Sequence, residues 1–249
     1  MLSVITRIPV CSPTGSFVHD RPVPHAGRED ASLPPPAPIQ DDAPVRKPDP
    51  ARTRQDILDV ARAEFVTHGL SGARVDAIAA RTRTTKRMLY YYFGSKEGLY
   101  LAVLEQAYRE IRDLEQGLDL ESLSPSEALR RIVEFTFDHH EAHPDFVRLV
   151  CIENIHHGRH LKRAEALRAR NITAIETLRQ VLERGQRAGQ FRDGLDPVDL
   201  HMMISAFCFY RVGNQHTFGT LFGATYVGPE SRDRHRRMIG DAVLALVRP

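Results

Sequence analysis

Histidine is concentrated in one short part of this 249-residue chain. Six of the twelve histidines lie between residues 139 and 160: His139, His140, His143, His156, His157 and His160. Two pairs are four residues apart, a spacing that can bind a metal ion from one helix face. However, the stretch from His140 to His143 is one residue short of the HExxH spacing of zinc hydrolases. The flanking residues are typical of helix ends, where the dipole favours histidine. Structural or surface roles are therefore preferred, followed by ligand contacts and then a metal site.

A second group of side chains points to nucleic-acid chemistry. The segment reads Thr85-Lys86-Arg87-Met88-Leu89-Tyr90-Tyr91-Tyr92. At 3.6 residues per turn, Met88, Leu89 and Tyr92 can face a core, which leaves Lys86, Arg87, Tyr90 and Tyr91 outside. Arginine can bind the O6/N7 edge of guanine, and lysine and tyrosine can bind phosphate oxygens. A small helical bundle with a basic solvated face is the alternative, but it gives no reason for exposed tyrosines beside two cations. DNA recognition is the preferred interpretation.

The distribution of charge supports this interpretation. The whole chain has 34 basic and 32 acidic side chains, a net charge of +2 that by itself indicates no nucleic-acid binder. Residues 51–96 have nine basic and four acidic side chains and a net charge of +5, whereas residues 1–50 and 97–249 carry −1 and −2. A basic block within a neutral chain is the electrostatic pattern of a phosphate-backbone binder.

Apolar spacing predicts the helices that position this basic segment. A first helix over 52–67 is followed by Gly69, which can adopt the left-handed conformation that ends a helix. A second helix runs from Val75 to Arg81, a turn follows, and Thr85 can cap a third helix that ends near Tyr92. Ser95 can cap a longer fourth helix. Two short helices joined by about three residues form a helix-turn-helix.

Residues 52–99 resemble the N-terminal domain of TetR-family transcriptional repressors. The segment Leu89-Tyr90-Tyr91-Tyr92-Phe93-Gly94-Ser95-Lys96-Glu97-Gly98-Leu99 is similar to the family pattern L-Y-x-Y-F-x-S-K-E-x-L. The resemblance implies that Tyr90, Tyr91 and Lys96 contact phosphates, and that Thr84, Thr85, Lys86 and Arg87 face bases or backbone.

Two positions depart from the family pattern. Arg83 stands in the turn where the family usually has glycine, and Arg74 stands where Thr or Ser usually caps the second helix. Because a positive φ at Arg83 would cost roughly 1 kcal/mol, we expect the turn to adopt another geometry. Both arginines add charge near the expected DNA face, and Arg74 is included among the predicted DNA contacts.

The chain is expected to be all-α and to have three parts. Residues 1–50 hold 11 of the 16 prolines and are predicted to be a disordered arm with polyproline character, with a PxxP ligand as the alternative. Residues 51–97 form the helix-turn-helix domain. Residues 98–249 form a helical ligand-binding and dimerisation domain.

Caps and breaks predict five helices after the fourth. Ser124 begins a capping box for a helix that runs to Glu141, and Pro144 forces a break. Helices over 145–157 and 160–187 follow, then one from Asp196 to His216 and a last one over 230–247. A glycine-containing segment, 213–228, connects the last two.

In the TetR family the last two long helices form a four-helix dimer interface. The apolar residues expected to supply it here are Leu200, Met203, Ile204, Phe207, Cys208, Ile239, Val243 and Leu246. A homodimer would place two recognition helices one DNA turn apart on a palindromic operator.

A ligand pocket is expected between the middle helices, where polar groups lie among aromatic residues. Its candidate residues are Phe137, His140, Glu153, Asn154, Phe207, Tyr210, Arg211 and Asn214. The segment Phe146-Val147-Arg148-Leu149-Val150-Cys151-Ile152-Glu153 resembles the C-terminal domains of repressors that govern pyrimidine breakdown. That resemblance favours a small polar or aromatic metabolite over a large lipophilic drug.

Composition narrows the class of protein. Apolar residues make up 42% of the chain, no stretch approaches the 18 apolar residues of a membrane helix, and residues 1–10 make a poor signal peptide. Cys11, Cys151 and Cys208 form neither a disulfide framework nor a CxxC metal site and suit a reducing cytoplasm. We therefore expect a cytoplasmic protein without cofactor, resident metal or catalytic residues.

The preferred function is a transcriptional repressor that a small-molecule effector releases from double-stranded DNA. One alternative is a constitutive architectural DNA-binding protein without effector, which a missing cavity would favour. The remote alternative is a metal-dependent hydrolase that uses the histidines between His139 and His160, which bound zinc would favour.

Overall fold

The computed structural model describes residues 49–249, apart from the side chains of Ala166, Arg168 and Arg170. Nearly all of the predicted proline-rich arm lies outside the described residues. Its last two residues belong instead to the first helix, because the Asp49 side chain accepts a hydrogen bond from the Ala51 amide at 2.9 Å and Pro50 needs no amide partner there.

The described residues form an all-α fold, as predicted, with ten α-helices and no strand in this range. None of these helices is both long and apolar enough to cross a membrane. Two 3₁₀ turns, Leu161–Arg163 and Ala224–Tyr226, lie between helices. The helices are α1 (Pro50–Gly72), α2 (Val75–Arg81), α3 (Lys86–Phe93), α4 (Lys96–Gln116), α5 (Pro125–Ala142), α6 (Pro144–Ile155), α7 (Glu165–Arg187), α8 (Pro197–Gly213), α9 (Gln215–Phe222) and α10 (Pro229–Val247).

The predicted capping residues stand at the helix starts. The side chains of Thr85, Ser95 and Asp196 each accept a hydrogen bond from a first-turn amide, and Ser124 forms the full capping box with Glu127. Each such cap stabilises its helix by about 1 kcal/mol. Gly69 has a φ of 67° and interrupts α1 at the predicted end of the first helix.

Two hydrophobic clusters hold the helices together. The first joins α1–α4 to α6 and includes the fully buried Phe65, Leu89 and Tyr100. The second joins α5, α7, α8 and α10 and includes Leu129 and Ile204. Because α4 contributes to the first cluster along most of its length and also packs on α7, it ties the helix-turn-helix to the C-terminal half.

The helix predicted from residue 160 begins at Glu165 instead, and α6 ends at Ile155 rather than at 157. The cause is the buried Glu153 carboxylate. Its Oε1 accepts hydrogen bonds from the amides of His160 (2.8 Å) and Leu161 (3.2 Å), which holds the intervening chain in a loop. His157 in that loop has a φ of 58°.

The segment 213–228 was predicted to be a plain connection, and this is wrong because it contains α9. The helix predicted to reach His216 ends at Gly213, and the Asn214 carbonyl begins α9 by accepting from the Phe218 amide at 2.9 Å. Gly219 is accommodated inside α9, where a Cβ would lie 3.1 Å from the Val227 side chain. The remaining predicted helix, 230–247, is confirmed as α10.

Candidate nucleic-acid interface and ligand cavity

The α3 helix presents its predicted faces. Leu89 is 2% exposed and packs in the first cluster, and Met88 and Tyr92 are half-buried. On the opposite side, the cations Lys86 and Arg87 and the tyrosines Tyr90 and Tyr91 are exposed. Tyr91 is 78% exposed, and its ring meets the Tyr92 ring edge-on at 5.4 Å. Its contact with Tyr92 leaves most of this large aromatic ring in solvent, which indicates a surface that binds a partner.

The turn between α2 and α3 differs from the prediction. Arg83 has a φ of 51°, so an arginine adopts the left-handed conformation that the family reserves for glycine. The Thr84 amide nevertheless reaches the Ala79 carbonyl at 3.1 Å, so the turn keeps its closing hydrogen bond. The cost of this conformation for a residue with a Cβ is about 1–2 kcal/mol.

The eight predicted DNA contacts lie in one stretch around α2, α3 and the start of α4. Six are exposed and two are half-buried, and the exposed ones are Arg74, Thr85, Lys86, Arg87, Tyr90 and Tyr91. The half-buried Thr84 lies in the turn, and the half-buried Lys96 donates from Nζ to the Ser71 carbonyl at 3.2 Å. The Lys86 ammonium lies 2.6 Å from the Asp76 carboxylate.

Glu64 is a positioning residue that the sequence analysis missed. It is 6% exposed, and its Oε1 accepts from the Arg74 amide at 3.0 Å, at the start of α2. Arg74 itself makes no side-chain cap, and Glu64 on α1 fixes the start of α2 in a different way, by binding the amide of the N-cap residue. The signal was available, since Glu64 lies directly before Phe65, next to the apolar stripe of the first helix.

A cavity of about 180 Å³ lies among α4, α5, α6, α7 and α8. Its walls combine aromatic and aliphatic side chains with polar ones: Tyr108, Ile111, Arg112, Glu115, Thr136, His140, Phe146, Val150, Asn171, His201, Ser205 and Phe209. A neighbouring cavity of about 270 Å³ shares Tyr108, Asn171 and His201 with it. Such a mixture of apolar walls and a few convergent polar groups is typical of a small-molecule site.

The polar groups of this cavity are incompletely satisfied. Arg112 is 7% exposed and pairs through Nη1 with Glu115, yet its Nε has no hydrogen-bond partner among the described residues. The Nδ1 of His140, a residue 4% exposed, likewise has none within that range. Burial, with the nearby charge of Arg112, lowers the pKa of His140 to about 4, so this imidazole is neutral at physiological pH.

The predicted pocket residues are not brought together. His140 lines the cavity, but Phe137 is a core residue beneath the guanidinium groups of Arg211 (5.9 Å) and Arg232 (5.7 Å). The Glu153 carboxylate is used in binding the chain at His160, since its Oε2 lies 2.8 Å from His160 Nδ1. Asn154 is exposed and donates to the Val150 carbonyl at 2.9 Å.

Three of the remaining candidates line a different groove, of about 230 Å³, beside α9 and α10. These are Phe207, Tyr210 and Arg211. The Arg211 side chain is buried and fully engaged, since it bonds to Glu141 (2.8 Å), Ser231 (2.9 Å) and two backbone carbonyls. Asn214, the eighth candidate, begins α9 and lines neither cavity. Of the eight predicted pocket residues, one therefore lines the α4–α8 cavity, three line the groove beside α9 and α10, and four line neither.

The clustered histidines pack against other rings. The His139 and His143 rings stack at 4.4 Å, and the His156 and His160 rings meet edge-on at 5.6 Å. Within residues 49–249, no three His, Cys, Asp or Glu side chains are arranged to hold a metal ion. In this part of the chain the cluster supplies packing and, through His140, one wall of the cavity.

An ion-pair network connects the cavity with the helix-turn-helix domain. Arg62 on α1 lies 2.6 Å from Glu110 on α4 and also pairs with Asp145 on α6. Asp145 directly precedes Phe146, whose ring lines the cavity. A shift of Phe146 would therefore act on α1 through Asp145 and Arg62.

Helices α8 and α10 each expose an apolar stripe. Val198, Met202, Ala206 and Tyr210 follow one another at steps of four residues on α8, and all are exposed. On α10 the exposed stripe is Met238, Ala242 and Leu246.

Most of the residues predicted for the dimer seam lie elsewhere. Leu200, Ile204, Cys208, Ile239 and Val243 are buried in the chain's own core, Met203 is half-buried, and Phe207 and Leu246 are exposed. Each of these two helices has an apolar face toward the core and a second apolar face toward solvent. The predicted seam residues lie mainly on the face toward the core.

Comparison with known proteins identifies both halves of the chain. Residues 57–103 match the family described as bacterial regulatory proteins, tetR family, and residues 125–243 match the tetracyclin repressor-like C-terminal domain. The HTH-type transcriptional repressor NicS of Pseudomonas putida is 34% identical over 200 residues, which cover 80% of this chain and 94% of the relative. A second repressor, SCO4008 of Streptomyces coelicolor, is 31% identical over 66% of this chain and 80% of its own length.

Solved structures agree with these relatives. The transcriptional regulator SCO4942 of Streptomyces coelicolor is similar with a TM-score of 0.59 and 32% identity, over 79% of this chain and 99% of that one. The exposed α3 surface, the two matched regions and the named relatives together show that this chain belongs to the TetR family of helix-turn-helix transcriptional regulators.

Proposed function

We infer that the protein is a ligand-responsive repressor that binds a palindromic operator as a homodimer and acts in the cytoplasm, where the DNA lies. The observation that carries this proposal is the exposed α3 surface. Arg87 offers a bidentate donor for guanine, and Tyr90 and Tyr91 offer hydroxyls to phosphates on either side. The stretch also holds Arg74, Thr84, Thr85, Lys86 and Lys96, the other predicted contacts.

The stripes on α8 and α10 support a homodimer. Val198, Met202 and Tyr210 are each more than half exposed, although α8 is otherwise strongly apolar. Two helices per subunit with small residues, Ala206 and Ala242, inside their stripes can pack closely against a second copy. Dimerisation joins two weak half-site contacts into one tight complex.

The cavity supports an effector. A constitutive architectural protein has no use for a buried space with an unsatisfied arginine and histidine, so the cavity favours the repressor over that alternative. An effector shifts the DNA-binding equilibrium only if it prefers one conformation. The connection from Phe146 through Asp145 to Arg62 offers the contact by which the occupied cavity would favour a different α1 position.

The experiment is a titration of fluorescein-labelled duplexes with the full-length protein, read by fluorescence anisotropy. Overlapping duplexes from the DNA upstream of the protein's own coding sequence are compared with scrambled ones at fixed salt. We expect one palindromic duplex to bind at least about 10³-fold more tightly than its scrambled form. Arg87→Ala should reduce this preference, and the matched control Arg131→Ala, exposed on α5, should keep it in full.

Equal affinity for all duplexes would contradict the repressor and support the architectural alternative. Light scattering of the free protein and of the complex gives the number of chains. One chain per palindrome would contradict the homodimer.

A further inference from the structure

The cavity among α4–α8 holds a buried cation with one edge unused. Arg112 donates from Nη1 to Glu115, one turn further along α4, and its Nε has no hydrogen-bond partner among the described residues. A buried donor without an acceptor costs about 1–3 kcal/mol, and nearly all buried donors in folded proteins are satisfied. An acceptor brought by a ligand would remove this cost.

A second unsatisfied group lies in the same wall. His140 Nδ1 has no partner in the described part of the chain, and its ring lies parallel to Phe146 at 5.8 Å. In the tautomer protonated at Nδ1, this imidazole is a neutral donor. Arg112 and His140, on two different helices, thus line one cavity and each has a buried ring or guanidinium nitrogen without a partner among the described residues.

The rest of the wall fixes the size and shape of the ligand. Tyr108, Phe146 and Phe209 supply three aromatic rings, and Ile111 and Val150 supply aliphatic surface. A volume of about 180 Å³ slightly exceeds that of an engineered cavity of roughly 150 Å³ that binds benzene. One planar ring therefore fits this volume, and Asn171, His201 and Ser205 can meet a polar substituent.

We propose, on the basis that this cavity is the effector site of the proposed repressor, that the effector is a one-ring aromatic carboxylate whose carboxylate group is bound by the Nε edge of Arg112 and by His140. The Nε and second Nη nitrogens of an arginine form a two-donor fork that fits a carboxylate.

Other ligand charges fit the cavity less well. A cationic ligand would be repelled by the Arg112 guanidinium, which already neutralises the nearby Glu115 carboxylate. A phosphate dianion would bring a larger negative charge beside Glu115. A neutral amide satisfies the same donors, but a hydrogen bond to an ionised acceptor is about twice as strong.

The test uses the full-length protein and compares acids with their own primary amides. Benzoate and 3-hydroxybenzoate are titrated by calorimetry and thermal shift against benzamide, 3-hydroxybenzamide and benzylamine. We expect the acids to bind at least about tenfold more tightly than the amides and the amine not to bind, because only the acids offer a charged acceptor.

The decisive variant is Arg112→Gln/Glu115→Gln, which removes the guanidinium and its partner together and leaves no unpaired charge. It should lose at least about tenfold in acid affinity and a smaller factor in amide affinity, because the amide loses only hydrogen bonds to a neutral acceptor. Arg109→Gln is the matched control, since it removes an exposed arginine from the same helix and should bind the acids normally. Circular dichroism shows whether the double variant is folded. If it is not, Arg112→Lys takes its place, because lysine keeps the charge but has no fork, and should show the same loss.

The outcomes separate this proposal from the proposed function. If the protein binds its operator but no acid binds, or the amides bind as tightly, the ligand class is wrong and the repressor stands. If acids bind through Arg112 without changing operator affinity, the ligand class stands and the effector role is wrong. Acid binding that the double variant keeps would place the ligand elsewhere and overturn the proposal.

Discussion

The Asp76 carboxylate on α2 lies 2.6 Å from the Lys86 ammonium on the first turn of α3. Both side chains are more than half exposed, so the pair adds at most about 1 kcal/mol to stability. The pair matters more for DNA binding than for stability. A lysine beside a carboxylate offers little net charge, and a phosphate that approaches it also meets Asp76.

Asp76→Asn should therefore strengthen DNA binding. The substitution removes one negative charge and releases Lys86, so affinity should rise about threefold to tenfold for every sequence. The slope of log affinity against log salt concentration should steepen by up to about one, as for one added phosphate contact. Anisotropy titrations between 50 and 200 mM salt measure both quantities. Glu183→Gln, an exposed carboxylate on α7, is the charge-matched control. Unchanged affinity and slope would show that no phosphate lies near Lys86.

Arg83→Gly should stabilise the fold. Glycine adopts a φ of 51° without the steric strain that a Cβ causes there. This gain exceeds the larger conformational entropy that glycine loses on folding, so the free energy of unfolding should rise by about 0.5–1 kcal/mol. Urea unfolding followed by circular dichroism measures it. Thr82→Gly, in the same turn at a φ of −91°, should instead lose stability. A stability loss in both variants would mean that Arg83 is held by contacts that outweigh its strain.

Lys96 and Arg87 should differ in the kind of DNA binding they support. Lys96→Ala should weaken binding to all sequences by a similar factor and reduce the salt slope by about one, as expected for a phosphate contact. Arg87→Ala should cost about 1–3 kcal/mol on the preferred duplex and much less on scrambled ones. Both variants are titrated on the same pair of duplexes. A uniform loss for Arg87→Ala would argue against base readout.

The helix-turn-helix was predictable because local chemistry determines it. Thr85 and Ser95 are capping residues at their expected places, and Leu89 lies where a period of 3.6 puts it. Arg83 shows the limit of this reasoning, since the closing hydrogen bond of the turn outweighed the strain of one residue.

The cavity was not predictable in the same way. Arg112 and Glu115 are charged residues three apart on a helix, which usually indicates a solvated face. They are buried because helices of the C-terminal half, above all α7, pack on α4. Helix α8 posed the reverse problem. It is apolar on both sides, so periodicity could not separate Ile204 in the core from Met202 on the surface.

Met202→Asp should convert the proposed homodimer into a monomer. Met202 is 61% exposed in the single chain, so the substitution should leave the protomer folded and place a charge in the middle of the α8 stripe. A buried unpaired carboxylate costs several kcal/mol in an interface, twice in a symmetric dimer. Light scattering measures the mass, and Ile155→Asp, at a still more exposed apolar residue of α6, is the control. A dimer that persists in Met202→Asp would place the interface elsewhere.

The last prediction concerns acid stability and rests on two buried histidines. Burial, aided by the charges of neighbouring groups, lowers the pKa of His139 to about 3 and that of His140 to about 4. His143, Arg112, Arg62 and His201 are the neighbours that contribute. The unfolded chain has an ordinary histidine pKa near 6.5, so between pH 6.5 and 4 it binds more protons than the folded chain. Stability must therefore fall as the pH is lowered through that window.

At pH 5 the loss should be about 2 kcal/mol for each of the two histidines relative to pH 7. His139→Gln/His140→Gln cannot take up these protons in either state. Between pH 7 and pH 5 its free energy of unfolding should therefore fall by about 4 kcal/mol less than that of the wild type. Urea unfolding at pH 7, 6 and 5 measures the difference, and other acid-titrating groups cancel because both proteins share them. His216→Gln, which removes an exposed histidine of α9, should keep the wild-type dependence. Equal slopes for the double variant and the wild type would show that these imidazoles take up protons in the folded state, in which case the α5 side of the cavity is open to water.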